Sequence, residues 1–134
     1  MNLRKIVFFA IVLIVAVSAL SFVSANEKVT VCGVDFSIPD GYEQTHKEDM
    51  PGYLEYTYTN EQYHSDQIVL HVAKMDRNLT SVYKDSDVFE PTSIGGHDGY
   101  VGPRGQDILF AYQAGGKVAE VTAKDETTIA LVIS

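Results

Sequence analysis

The sequence predicts an α+β fold: an antiparallel sheet of about seven strands with one or two helices on one face, preceded by an N-terminal hydrophobic helix. Three observations carry that expectation. Apolar and polar residues alternate in short stretches over most of residues 29–133, the pattern of half-buried strands. Glycine-bearing pairs separate several of those stretches at hairpin spacing, as two-residue turns require. The first 25 residues differ from the rest, with Arg4 and Lys5 followed by apolar residues from Ile6 to Val23 broken only by Ser18 and Ser21.

That opening segment has two readings. A charged start, an apolar run and then Val23-Ser24-Ala25 match a secretory signal cut between Ala25 and Asn26. The run Ile6–Val23 is also 18 residues long, close to the roughly 20 that span a bilayer as a helix. Uncut, it would anchor the chain with its positive end inside and the remainder outside. Either way, residues 1–25 are a signal peptide or N-terminal membrane anchor, and residues 26–134 are a single extracytoplasmic β-rich domain. Those 109 residues suffice for one core and not for two.

Within the domain, Val29-Thr30-Val31 and Val34–Ile38 flank Cys32-Gly33 and read as a hairpin; Pro39-Asp40-Gly41 ends it. Residues 42–52 are polar and read as irregular. Tyr53–Thr59 is a strand, with Leu54, Tyr56 and Tyr58 on one face and Tyr53, Glu55, Thr57 and Thr59 on the other. After a turn over 60–66, Gln67–Ala73 is apolar on both faces, which predicts a central strand covered on both sides. Leu79, Val82 and Tyr83 sit at helical spacing. Residues 94–102 suggest a strand edge with turns. Asp107–Tyr112 and Lys117–Thr122 flank Ala114-Gly115-Gly116 as a second hairpin. Asp125 is placed to cap a C-terminal helix, though the β-branched residues that follow also suit a final strand.

The stretch Val31-Cys32-Gly33-Val34-Asp35-Phe36-Ser37-Ile38-Pro39-Asp40-Gly41-Tyr42 resembles the start of small exported proteins of methanogenic archaea, which carry a Val-Asn-Gly-Val, Phe-x-Ile-Pro-x-Gly-Tyr/Phe pattern. Ile94–Tyr100 and the ending from Gly116 to Glu126 are similar to that group too. The resemblance implies an exported β-rich domain. It carries no catalytic residue over, because the group has none assigned. Cys32 departs from the pattern where Asn is usual, and Asn is the residue that tolerates a left-handed turn.

Composition narrows the function. All 18 acidic residues and 8 of the 10 basic ones follow residue 25, a charge of −10. That balance disfavours nucleic acid and anionic lipid as partners and can attract cations. Cys32 is the only cysteine, so no disulfide forms within the chain. It is either an inert strand residue or an exposed thiol able to pair two copies. His46, His64, His71 and His97 stand 18, 7 and 26 residues apart, which fits no ligand motif; His71 reads as a core or edge histidine. Asp85-Ser86-Asp87 lacks the rest of a calcium loop. Gly95, Gly96, Gly99, Gly102 and Gly105 read as turn glycines, since no Lys-Ser/Thr follows to make a phosphate cradle.

Tyr53, Tyr56 and Tyr58 are the candidate ligand face, because aromatic rings stack on sugars. Asn78-Leu79-Thr80 matches the glycosylation acceptor pattern. No cofactor and no metal are expected. The reading is an exported domain, secreted or anchored to the outer face of the cytoplasmic membrane, acting as a non-enzymatic binding module. Its expected partner is an envelope protein or glycan, with the membrane reached only through an uncut N-terminal segment, and its state a monomer or weak homodimer. The alternatives are an extracytoplasmic hydrolase acting on envelope glycans or peptides, or a structural subunit dimerised through Cys32.

Overall fold

The computed structural model describes residues 26–134. The expected hydrophobic helix, the signal-or-anchor segment and Ala25 of the cleavage site lie outside the described residues. Strands β1 (Glu27–Val31), β2 (Val34–Ile38), β3 (Tyr42–Met50), β4 (Tyr53–Asn60) and β5 (Gln67–Ala73) lead to helix α1 (Leu79–Tyr83). Then follow β6 (Glu90–Ile94), β7 (His97–Arg104), β8 (Asp107–Ala114), β9 (Lys117–Ala123) and helix α2 (Glu126–Ile133). The β-rich, antiparallel architecture stands: β1 and β2 form a hairpin, and the other seven strands form one sheet ordered β3-β4-β5-β9-β8-β7-β6. Two meanders therefore meet at its centre, where β9 pairs antiparallel with β5.

The sheet has a covered and an open face. Ile68, Leu70 and Val72 of β5, Phe110 of β8 and Val121 of β9 point to one side. There they meet Val31, Phe36 and Ile38 of the hairpin and Ile129 and Val132 of α2. Nearly all these side chains are fully buried, each contributing about 1.5–3 kcal/mol by leaving water. On the opposite side α1 sets Leu79 against Leu109, Ala111 and Val118, with Tyr83, Phe89 and Tyr100 packed around them. The helices thus sit on opposite faces, not together on one. Helix α1 is short and reaches β8; on the open side of β3, β4 and β5, Glu48, Tyr53, Glu55, Thr57, Val69 and His71 stay half-buried or more exposed.

Three sequence expectations need correction. Residues 42–50 form a strand; its polar character is that of a sheet edge, and a bulge between Gln44 and His46 breaks its alternation, both common ways of blunting an edge. Strand β5 is central but buried on one side only, alternating fully and partly buried residues. Of the glycine cluster, Gly95, Gly96 and Gly105 do occupy turns at positive φ, whereas Gly99 and Gly102 lie inside β7. An added Cβ at Gly102 would come within 2.8 Å of the Phe89 ring.

Asp125 caps α2. Its carboxylate accepts from the Thr128 hydroxyl at 2.6 Å and the Thr128 N–H at 2.8 Å. The hydroxyl bond above all holds the Asp125 carboxyl below the usual carboxylate range. The helix favours the ionised form, so this stabilisation is complete above the unfolded value of about 3.9. It fades as pH falls through the lower folded value. Asp125→Ala should cost about 1 kcal/mol at neutral pH, and the difference from the parent should shrink in melts run toward pH 3. A constant difference would show that the charge plays no part.

Cys32 lies at φ 50 and Gly33 at φ 82, positive at both central turn positions as a type I′ hairpin demands. The thiol is half-buried, 4.0 Å from the Val72 carbonyl oxygen, so Cys32 is neither a buried strand residue nor a fully exposed one. A left-handed conformation costs an ordinary residue about 1–2 kcal/mol, and Asn tolerates it better. Cys32→Asn should therefore raise stability by about 0.5–1 kcal/mol, read as a higher thermal midpoint. A lower midpoint would mean that the thiol's packing against β5 outweighs the turn strain.

Candidate functional site

Strand register assembles the site. Glu48 on β3 stands opposite Glu55 on β4, Glu55 opposite His71 on β5, and His71 opposite Glu120 on β9. The line continues through Ala111, Tyr100 and Pro91, so one row crosses all seven strands on the open face. Strand alternation sends these side chains the same way. The Tyr100 end is roofed by α1. The helix's last residue, Tyr83, reaches Glu120, and Glu48, Glu55 and His71 lie beyond it.

His71 is the centre. Its Nδ1 lies 3.2 Å from Glu55 Oε1 and its Nε2 3.6 Å from Glu120 Oε1, with side-chain exposures of 24 % for His71, 16 % for Glu55 and 22 % for Glu120. A neutral imidazole carries one N–H and the imidazolium two. The imidazole is within hydrogen-bond reach of Glu55 and stands next to Glu120, so either carboxylate can accept its N–H. Tyr53 stacks on the imidazole at 4.4 Å between ring centroids, and its hydroxyl donates to Glu48 Oε1 at 2.5 Å. That bond holds the Tyr53 hydroxyl above its ordinary pKa. At the other end Tyr83 donates its hydroxyl to Glu120 Oε2. Its ring packs against Phe89 at 5.0 Å and Tyr100 at 5.6 Å. Burial first, and Glu120 second, push the Tyr83 hydroxyl well up.

Glu48 and Glu55 are like charges directly opposite on adjacent strands, an arrangement that destabilises a sheet. Among the described residues no Lys or Arg forms an ion pair with Glu48, Glu55 or Glu120. Three carboxylates against one imidazole leave a strongly acidic strip with aromatic rings at both ends. Among the described residues no group of three or more His, Cys, Asp and Glu converges as a metal site. A shallow cleft of about 430 Å³ lies at the far end of the row, where α1 meets Pro91 and Tyr100, and another of about 540 Å³ lies beside the start of α2.

The residues singled out from sequence scatter. Tyr53 joins the row, while Tyr56 and Tyr58 point to the opposite side, and Tyr58 is only 2 % exposed inside the core; the three tyrosines form no common ligand face. Of the histidines, His71 alone enters the site; His46 and His64 are exposed, and His97 packs on Tyr112 of the covered face. Glu48, Glu55 and Glu120 were not anticipated as functional. The legible signal is a glutamate set between Ala119 and Val121 inside a strand. Cys32 lies on the covered side with the hairpin, away from the row, and Asn78 at the start of α1 is exposed.

Comparison of the chain with protein-family models, curated proteins and solved structures finds no match. The site alone therefore carries the functional reading.

Proposed function

We propose that this chain is an exported binding module whose ligand face is the open half of the sheet around Glu48, Tyr53, Glu55, His71 and Glu120. Its ligand is a cationic group, a lysine or arginine side chain of a partner polypeptide or a comparable amine. The observation that carries the reading is the carboxylate row: the sheet sets like charges side by side, and among the described residues no lysine or arginine forms an ion pair with them. Residues that break a local stability rule concentrate at functional sites. The chemistry fits a cation in two ways. Carboxylates accept its N–H donors in charge-assisted bonds, and the Tyr53 ring beside them offers a π face to its charge. The overall charge of −10 on residues 26–134 would steer such a ligand inward.

The hydrolase reading has one observation in its favour: an imidazole held between two carboxylates can move protons. The contacts to His71 include no Ser, Thr or Cys among the described residues, so a nucleophile would have to be water. Binding is the simpler use of the geometry.

The test is a nuclear magnetic resonance titration of the protein with oligolysine and oligoarginine, with a neutral peptide as control. Saturable shifts centred on Tyr53, Glu55, His71 and Glu120, weakening with salt, are expected. Shifts confined to other faces, or equal response to the neutral peptide, would sink the proposal.

A further inference from the structure

We infer that Asn78 is an N-glycosylation site in the exported protein, the glycan standing at the start of α1 on the same side of the sheet as the carboxylate row. The inference rests on the exported reading, since glycan transfer to this motif belongs to the compartment outside the cytoplasm.

The motif Asn78-Leu79-Thr80 alone would be weak evidence. Its placement adds more. Asn78 precedes the helix with extended backbone, φ −98 and ψ 120, as the residue that caps α1. Its Oδ1 accepts from the Ser81 N–H at 3.2 Å, which fixes the amide by its oxygen. Among the described residues its Nδ2 donates to nothing, and that is the atom a transferase uses. Asn78 and Thr80 are both exposed, whereas Leu79 between them is buried. The motif thus presents its two recognised side chains outward while the middle one anchors it.

The support beneath is firm. The Gln113 side chain reaches from β8 to accept from the Leu79 N–H at 2.8 Å and to donate to the Arg77 carbonyl at 2.8 Å. Arg77 N–H also donates to the Gly116 carbonyl at 2.8 Å. Backbone bonds thus pin both neighbours of Asn78, and Asn78 itself projects.

Transfer leaves this framework intact. The bond formed joins Nδ2 to the anomeric carbon of the sugar. The bond broken joins that carbon to the phosphate of a lipid-linked glycosyl donor, which leaves with the electron pair while Nδ2 gives up one proton. Oδ1 keeps its lone pairs, so the cap on Ser81 survives modification.

The experiment is mass spectrometry of tryptic peptide 78–84 from the full chain, isolated from its own host and fractionated by compartment. The expected result is a peptide heavier by whole sugar residues. That added mass should vanish completely in Asn78→Asp and in Thr80→Ala. Asn78→Asp keeps a capping oxygen, so its melting temperature should match that of the unglycosylated parent made in a host without the transferase. Thr80→Ser should retain the modification. A bare peptide from chain found outside the cytoplasm overturns the inference and leaves the exported reading standing. A bare peptide from chain found only inside overturns both.

Discussion

Replacing Gly99 with alanine should remove most of the domain's stability. A Cβ at this position would lie 2.1 Å from the Ala111 carbonyl oxygen and 2.8 Å from the tip of the Phe110 ring, both far inside contact distance. Neither neighbour can yield cheaply. The carbonyl belongs to β8, which is paired on both edges, and Phe110 is fully buried in the core. Strand β7 cannot recede either, because Gly99 faces Tyr112 on one side and Thr92 on the other. Overpacking costs about 1–3 kcal/mol where side chains can adjust. Here backbone must move, so we expect about 4 kcal/mol or more, in the range kept for severe core lesions. Against a total of about 5–15 kcal/mol for a natural domain, that means a melting temperature lower by at least about 15 °C, or no folded protein. Gly105→Ala is the control. Its φ is +63 with open space around it, so only conformational strain of about 1 kcal/mol is at stake. Equal losses in the two variants would mean that the close approach at Gly99 is relieved without cost.

Gly99 also marks where sequence reading stops. Turn glycines and strand glycines look alike in one dimension; Gly95-Gly96 closes the β6–β7 hairpin, while Gly99, three residues on, gives Phe110 room to lie across the strand. Hairpins were legible because their signals are local: Cys32-Gly33 and Gly115-Gly116 lie between alternating runs, and both proved to be two-residue turns. Helix α2 was half legible: Asp125 offered the cap, but the β-branched residues after it suited a final strand equally. Strand β3 did not, because an edge strand wetted on both faces has no apolar alternation to show.

The site was less legible for a stronger reason. Glu55, His71 and Glu120 become neighbours only through the registers of β4 with β5 and β5 with β9, and the second spans about fifty residues of chain. A one-residue slip in either pairing would send part of the row into the core. Composition hinted at cations through the −10 charge of residues 26–134, but not where they would bind. Tyr56 and Tyr58 misled because aromatic residues on a strand serve packing as readily as recognition.

Neutralising the row should separate binding from folding. In a Glu55→Gln, Glu120→Gln double variant, the amide oxygen introduced at position 120 still accepts from Tyr83, and either new amide can still meet His71. Shape is preserved, and the like-charge opposition of Glu48 and Glu55 is gone. Stability should therefore stay within about 1 kcal/mol of the parent or rise. Affinity for a cationic peptide should fall steeply. A hydrogen bond to a charged group is worth about 1.5–3 kcal/mol, so losing one such contact means about a ten- to hundredfold weaker dissociation constant, and losing both means more. The two readouts decide together. Unchanged stability with lost binding identifies the row as the ligand site, whose like-charged arrangement persists because the ligand needs it. Lost stability with unchanged binding would instead assign Glu55 and Glu120 to the framework, as carboxylates kept to hold His71 and Tyr83 in place, and the ligand face would have to be sought on another surface of the domain.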